Sequence, residues 1–455
     1  MSRPRPISGF PELLPAQRAV EQHVLDTLRQ TFELYGFASI ETRALEPMAQ
    51  LSRKGEIDKE IYLVRRLQNL QAGRADSDDL GLHFDLTVPF ARYVLEHAGH
   101  LTFPFRRYQV QKVWRGERPQ DGRYREFTQA DIDIVGENQL AAHHDVEIPL
   151  VMLDALERLH TETGLPPVRM RVSNRNLSEG FYRGLGVNEP AAVLQRVDKL
   201  DKIGAEQVTR LLTEECGLSP EAAGKVIGLA SVRSEDDSFV DEVRALGVRH
   251  EQLDEGLELL AEVVRSAGQY RPGRLVVDLS IARGLDYYTG TVYETSLVGY
   301  ESMGSISSGG RYDSLASDGR TTYPGVGISL GVSRLLVPLL AKGRLVASRP
   351  VPTAVLVAVT DEDSRAEAVA VASALRARGV PTEVAPSADR FGKQIRYADR
   401  RQIPYVWFGG RSGEVKDIRS GEQVPADADQ WSPPEADLKV TVQGRWGEPE
   451  AGDRS

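Results

Sequence analysis

Arg125, Phe127, Gln129, Asp131 and Asp133 alternate along the chain with Thr128, Ala130, Ile132 and Ile134. Strand residues of equal parity share a face. The spacing therefore predicts a strand with one apolar face and one face carrying a cation, an aromatic ring, an amide and two acids. A lone aromatic among charges suits a stacking platform for a base. A solvated sheet face is the competing reading for the polar residues alone. The stretch leading into this strand, Arg115-Gly-Glu-Arg-Pro-Gln-Asp-Gly-Arg-Tyr-Arg125, is rich in cations. From 106 to 125 there are seven basic residues against Glu117 and Asp121, a net of +5. The arginine fork matches phosphate and carboxylate oxygens, so this density points to polyphosphate or RNA, with a solvated hairpin tip as the alternative.

Three further groups of residues have chemical potential. His83-Phe-Asp-Leu-Thr-Val-Pro-Phe-Ala-Arg92 sets Asp85 and Thr87 at strand spacing, where a carboxylate and a hydroxyl hold an ammonium group. Taken alone, the segment reads better as a helix cap, with Pro89 shortly after Thr87. Arg283-Gly-Leu-Asp-Tyr-Tyr-Thr-Gly290 follows the apolar run Leu275 to Ile281, and polar density just after a buried strand is a common place for chemistry. Ser307-Ser-Gly-Gly-Arg-Tyr-Asp313 and Gly325-Val-Gly-Ile-Ser-Leu-Gly-Val-Ser-Arg334 complete the set. Neither a strand-to-helix Gly-x-Gly-x-x-Gly nor a Gly-Lys-Ser/Thr phosphate loop occurs, which excludes a Rossmann or P-loop nucleotide site.

The elements that must position these residues follow from periodicity. Val20, Val24, Leu25, Leu28 and Phe32 predict a helix after Pro15, stopped at Gly36. Two strands around the arginine loop are predicted between Phe103 and Gly136, then a helix from Val146 to His160. Helices over Ala191 to Leu200, Ala205 to Cys216, Pro220 to Leu229 and Asp254 to Ala267 read as an insertion. Strand signals return at Leu275 to Ile281 and Thr291 to Leu297. Beyond a linker at Ala347 to Pro352, strand, helix, strand, helix and strand alternate up to Phe408, which implies a small α/β domain with a largely parallel sheet. Residues after Val442 read as a polar tail. The 455 residues, 41% hydrophobic and 27% charged, fit a soluble protein of about three domains. A net charge of −10 confines any polyanion contact to local patches. One cysteine, Cys216, excludes an internal disulfide. No apolar run approaches the roughly 18 residues of a membrane span, and no signal core follows Met1. A cytoplasmic location is expected.

Together these segments resemble the histidyl-tRNA synthetase family of class II aminoacyl-tRNA synthetases, from Ile7-Ser-Gly-Phe-Pro to Glu414-Val-Lys-Asp-Ile-Arg-Ser-Gly-Glu-Gln423. The Val20 helix through Pro47 is similar to the first class II motif, the 103–136 hairpin to the second and Gly325 to Arg334 to the third. Arg283-Gly-Leu-Asp-Tyr-Tyr288 and Gly309-Gly-Arg-Tyr-Asp313 resemble the family's histidine signatures. Two departures stand out. Phe84-Asp-Leu-Thr87 resembles a eukaryote-type variant rather than the Pro-Glu-Gly-Thr form of many bacterial members. Ser333 precedes Arg334 where many class II chains have Glu.

The resemblance implies an α+β fold: an antiparallel-sheet catalytic domain over 1–172 and 269–346, a helical insertion over 173–268, an anticodon-binding α/β domain over 352–443 and a polar tail over 444–455. It implies a ligase that activates L-histidine with ATP and Mg2+, forming AMP and pyrophosphate, and charges tRNA-His, as a homodimer. Asp85, Thr87 and Gln129 would hold the α-ammonium, and Asp133 and Tyr288, with Tyr287 beside them, would read the imidazole. Arg115 would meet the carboxylate and α-phosphate, and Arg283 the α-phosphate. Phe127 and Arg334 would sandwich adenine, with Glu117 and Arg123 fixing ATP. Gln120 and Arg118 would approach the tRNA acceptor end. No side chain is expected to fix a resident metal. The rival expectation is a non-catalytic, histidine-sensing regulatory subunit of histidine biosynthesis. Residues 390–419, with eight basic against three acidic side chains, are the expected anticodon-side RNA patch.

Overall fold

In a computed structural model, residues 5–52, 61–68, 79–120, 122–281, 288–314 and 316–446 are described. Nine strands form one twisted, mainly antiparallel sheet. Side by side they run Ala38–Ser39, Phe105–Trp114, Glu126–Val135, Gly325–Gly331, Ser307–Tyr312, Thr291–Leu297, Val168–Asn174, Leu275–Asp278 and Arg233–Ser234. The pairs at Ala38–Ser39 and at Leu275–Asp278 with Val168–Asn174 are parallel. The long hairpin is in register from Phe105 opposite Val135 to Trp114 opposite Glu126.

Parity decides what each face of the return strand meets. Ala130, Ile132 and Ile134 are fully buried in the main core. Helix Pro15–Leu34 buries Val20, Val24, Leu25, Leu28 and Phe32 in the same core, beside helix His143–Thr163. The latter helix ends at Gly164, whose φ of 71° supplies the left-handed cap. Burial of one apolar stripe, at about 25 cal/mol per Å2, is what holds such amphipathic helices on a sheet.

Six helices lie between 175 and 270, two of them, Arg175–Gly184 and Phe239–Ala245, beyond those predicted. Arg175–Gly184 crosses Glu251–Tyr270 at backbone contact: a methyl on Gly180 would stand 2.3 Å from the Leu253 nitrogen, and one on Gly256 2.4 Å from that of Leu177. Val193, Leu212, Val226 and Phe239 from this segment join the main core.

The later residues hold a second core around Val355, Leu375, Val406 and Trp407. Its five strands run Thr382–Val384, Val355–Val357, Tyr405–Phe408, Ser412–Asp417 and Gln423–Asp427. The first three are parallel, as the alternation predicts, and the last two are an antiparallel extension it did not reveal. The chain end corrects the tail expectation at its start. Val442–Gly444 is a strand paired with Leu345–Ala347, Val442 is buried in the main core, and Trp446 packs edge-on to Tyr300 with ring centroids 5.7 Å apart. No helix among the described residues is long and apolar enough to cross a membrane.

Candidate active site

The polar face of Glu126–Val135 is the floor of a cavity of about 440 Å3. Its neighbour, Gly325–Gly331, places Gly331 opposite Gln129, Ser329 opposite Asp131 and Gly327 opposite Asp133. Residues directly opposite on one face are the interacting pairs of a sheet. Here two of the three partners are glycines, and the space a side chain would fill belongs to the neighbours: a methyl on Gly327 would stand 2.1 Å from Oδ1 of Asp133. Gly310 makes similar room, since a methyl there would lie 2.8 Å from the Tyr288 ring.

Seven of the residues expected at the site line this one cavity: Arg115, Glu117, Arg123, Phe127, Gln129, Tyr288 and Arg334. The arginine loop lies against the amino-terminal segment, where Gly9 O accepts the backbone N–H groups of Arg125 and Glu126 at 2.7 and 3.1 Å. Arg115 donates from Nε to Phe84 O at 3.0 Å, and its guanidinium stands 5.1 Å from the centre of the Phe127 ring. Arg334 begins the helix Val332–Ala341 and donates from Nη2 to Met303 O at 3.0 Å. Ser333 turns away from the cavity: its buried hydroxyl accepts the Thr128 N–H at 2.9 Å, so the residue that departs from the class II pattern closes a backbone bond instead.

Asp133 lies behind the cavity lining and is 4% exposed. Arg107, fully buried, pairs with its Oδ2 at 2.6 Å, and the Tyr312 hydroxyl donates to its Oδ1 at 2.7 Å. Two steps back along the same face, Asp131 accepts the Ser329 hydroxyl at 2.5 Å, and Ser329 accepts Nε2 of Gln129 at 2.6 Å. Burial pushes the Asp131 carboxyl up to about 7; Asp133 and Asp85 push the same way, against the pull of Arg107 and Ser329.

Asp85 and Thr87 do not share a strand face; the segment is the helix cap that its sequence favours. Thr87 opens helix Thr87–His97, and Asp85 Oδ1 accepts the Val88 N–H at 3.0 Å as an N-terminal cap. The cap still brings the Asp85 charge within reach of Asp131. Gln120 and Arg118 sit in the hairpin loop outside the cavity lining, and Gln120 exchanges backbone hydrogen bonds with Arg123. Arg283 and Tyr287 lie outside the described residues. Sequence reasoning missed Ser329, Tyr312, Arg107 and Glu294 as site groups. Glu294 lines the cavity and pairs with Arg171. Ser329 was accessible in principle, because it shares parity with Gly325, Gly327 and Gly331. In the sequence Arg107 registers only as one of the seven cations of 106–125.

The chain is similar to known proteins along nearly its whole length. The family model for histidyl-tRNA synthetase matches residues 9–335, and that for an anticodon binding domain matches 353–430. The chain is 64% identical over 454 residues to the histidine–tRNA ligase of Cutibacterium acnes, covering 98% of this chain and 100% of the other. It is 60% identical to that of Micrococcus luteus, covering 97% and 99%. The crystal structure of histidyl-tRNA synthetase from Nostoc sp. PCC 7120 matches with a TM-score of 0.82 at 34% identity, over 94% of this chain and 98% of that one. An ATP phosphoribosyltransferase regulatory subunit/histidyl-tRNA synthetase from Bacillus halodurans C shares the fold at 20% identity and a TM-score of 0.73, over 90% and 98%. The fold is a mixed α+β synthetase catalytic domain followed by an anticodon-binding domain. The chain belongs to the histidyl-tRNA synthetase family.

Proposed function

We propose that the protein is a histidine–tRNA ligase: it activates L-histidine with ATP and transfers it to the 3′ end of tRNA-His. The observation that carries this reading is the single cavity in which Arg115, Arg123 and Arg334 gather around Phe127 while Gln129 and Tyr288 line the same space. Three guanidinium groups suit a triphosphate, an aromatic ring suits a purine, and an amide and a phenol suit a small polar amino acid.

Two displacements follow. The histidine carboxylate attacks the α-phosphorus in line, giving histidyl-adenylate as pyrophosphate leaves. A hydroxyl of the 3′-terminal tRNA ribose then attacks the acyl carbon, and AMP departs. Such chemistry needs alignment and charge neutralisation more than a protein nucleophile. In this reading Arg115 and Arg283 steady the α-phosphate, Phe127 and Arg334 sandwich adenine, and Glu117 and Arg123 hold the rest of ATP. Asp85, Thr87 and Gln129 receive the α-ammonium. Asp133 and Tyr288, with Tyr287, receive the imidazole. A site built to hydrogen-bond its substrate rejects isosteres that leave its polar groups unpaired. Magnesium enters with ATP as part of the substrate. Gln120 and Arg118 meet the acceptor end of the tRNA. The assembly is a homodimer acting in the cytoplasm, with the catalytic, insertion and anticodon-binding segments divided as the resemblance implies.

A histidine-sensing regulatory subunit is disfavoured, because the relatives at 64% and 60% identity are ligases along both segments. The deciding experiment is exchange of labelled pyrophosphate into ATP. Exchange that depends on histidine, with near-isosteric amino acids inert, is the expected result; histidine binding without exchange would reverse the choice.

A further inference from the structure

Gln129 lines the cavity at 7% exposure, and its Oε1 is buried with no hydrogen-bond partner. Leaving a buried acceptor unpaired costs about 1–3 kcal/mol, so native structures do so where something else is due to fill the bond. The amide orientation is set from behind. Ser329 carries one hydroxyl proton, and Asp131 Oδ1 accepts it at 2.5 Å. With that proton committed, Ser329 Oγ faces Gln129 only as an acceptor, and it takes an Nε2 hydrogen at 2.6 Å. The carbonyl oxygen of Gln129 must then point the other way. If the Ser329 hydroxyl were free to donate toward Gln129, the amide could turn over and aim NH2 at the ligand.

We propose that Ser329 and Asp131 are positioning residues for amino-acid recognition, holding the Gln129 amide so that its carbonyl oxygen, and not its NH2 group, meets the substrate α-ammonium. Asp131 lies outside the cavity lining, and Ser329, which lines it, acts on the ammonium through the Gln129 amide. Asp131 lies among Arg107 from the adjacent strand, Asp133 on its own strand and Asp85 from the cap of helix Thr87–His97, and it is 2% exposed. The ammonium's attraction thus runs through a chain of three side chains on two strands. The inference rests on Gln129 receiving the α-ammonium, as proposed above.

The test compares the affinity of the full-length protein for L-histidine with that for 3-(imidazol-4-yl)propionate, the same molecule without its amino group, by calorimetric titration. Ser329→Ala and Asp131→Ala should each weaken histidine binding by about tenfold while leaving the des-amino ligand within about twofold, the loss expected of one charge-assisted hydrogen bond. Ser329→Thr, which keeps the hydroxyl, should restore the preference. Gln129→Ala should lose it. Unimpaired des-amino binding also reports an intact fold. If Ser329→Ala keeps the wild-type preference, or loses both ligands equally, while Gln129→Ala loses the preference, the chain of positioning falls and the Gln129 assignment stands. If Gln129→Ala keeps the preference, the assignment itself falls and the inference with it.

Discussion

The Tyr312 hydroxyl reaches Asp133 across an intervening strand, donating to Oδ1 at 2.7 Å. Tyr312 pairs with Gly325, and Gly327 pairs with Asp133, so the phenol passes over a glycine-lined track. A methyl on Gly325 would stand 2.5 Å from the Tyr312 ring, and one on Gly327 2.1 Å from the carboxylate. The second histidine signature is thereby joined to the polar strand of the hairpin through atoms that neither segment holds alone.

Gly327→Ala is accordingly expected to displace Asp133 and reduce histidine-dependent pyrophosphate exchange at least tenfold. Tyr312→Phe, which removes one donor without changing shape, should cost about 1–3 kcal/mol, seen as a higher histidine KM at unchanged ATP KM. An ATP-side effect of equal size in Tyr312→Phe would contradict the assignment of Asp133 to the amino-acid half of the cavity.

Phe127 is expected to act on the nucleotide alone. Base stacking on an aromatic ring contributes about 1–3 kcal/mol, so Phe127→Ala should raise the ATP KM between about 5- and 150-fold. Phe127→Tyr should be near wild type. The histidine dissociation constant, measured without ATP, should not move.

Asp131 makes the folding stability depend on pH. Its carboxyl is neutral in both folded and unfolded chains below about pH 4. Between about 4 and about 7 the unfolded chain releases a proton that the folded chain keeps, so stability falls as pH rises. Above 7 the penalty is complete, on the order of 4 kcal/mol as an upper bound. The stability gain of Asp131→Asn over wild type should therefore grow from pH 5 to pH 7.5, read from denaturant midpoints. A constant difference over that range would show that Asp131 titrates normally.

Part of the basic stripe in the second core is tied up in local pairs. Arg401 bonds Glu383 at 2.7 Å, and Arg419 bonds Asp417 and Asp437 at 2.8 Å each. Arg390, Arg396 and Arg400, beside or on helix Phe391–Arg400, are exposed. Reversing these three to Glu should raise the KM for tRNA and flatten its salt dependence while pyrophosphate exchange is spared. Equal loss of both activities would place the RNA contact elsewhere.

The hairpin was legible because its signal is local. Strand parity alone assigned Phe127 and Gln129 to one face and Ile132 and Ile134 to the other, and burial agrees. Ser329, Tyr312 and Arg107 escaped because their roles exist only across strands that pair over separations of some 25 to 200 residues, and no periodicity encodes such register. Asp85 was ambiguous for a different reason: Asp-x-Thr-x-Pro fits a strand and, better, a helix start, and the cap to Val88 is the second. The last two strands, Ser412–Asp417 and Gln423–Asp427, are short and polar, so they carry little alternation to detect.

The ribbon formed by Leu345–Ala347 and Val442–Gly444 means that the polypeptide leaves for the anticodon-binding segment and comes back at the same spot. A segment stitched at both ends to one two-stranded seam is a flap that can be lifted out without undoing the stitch. Cutting the gene at residue 350 would also rip out a strand, a buried valine and the tryptophan beside Tyr300, so the natural scissors line is two cuts, one on each side of the flap, rejoined by a short turn.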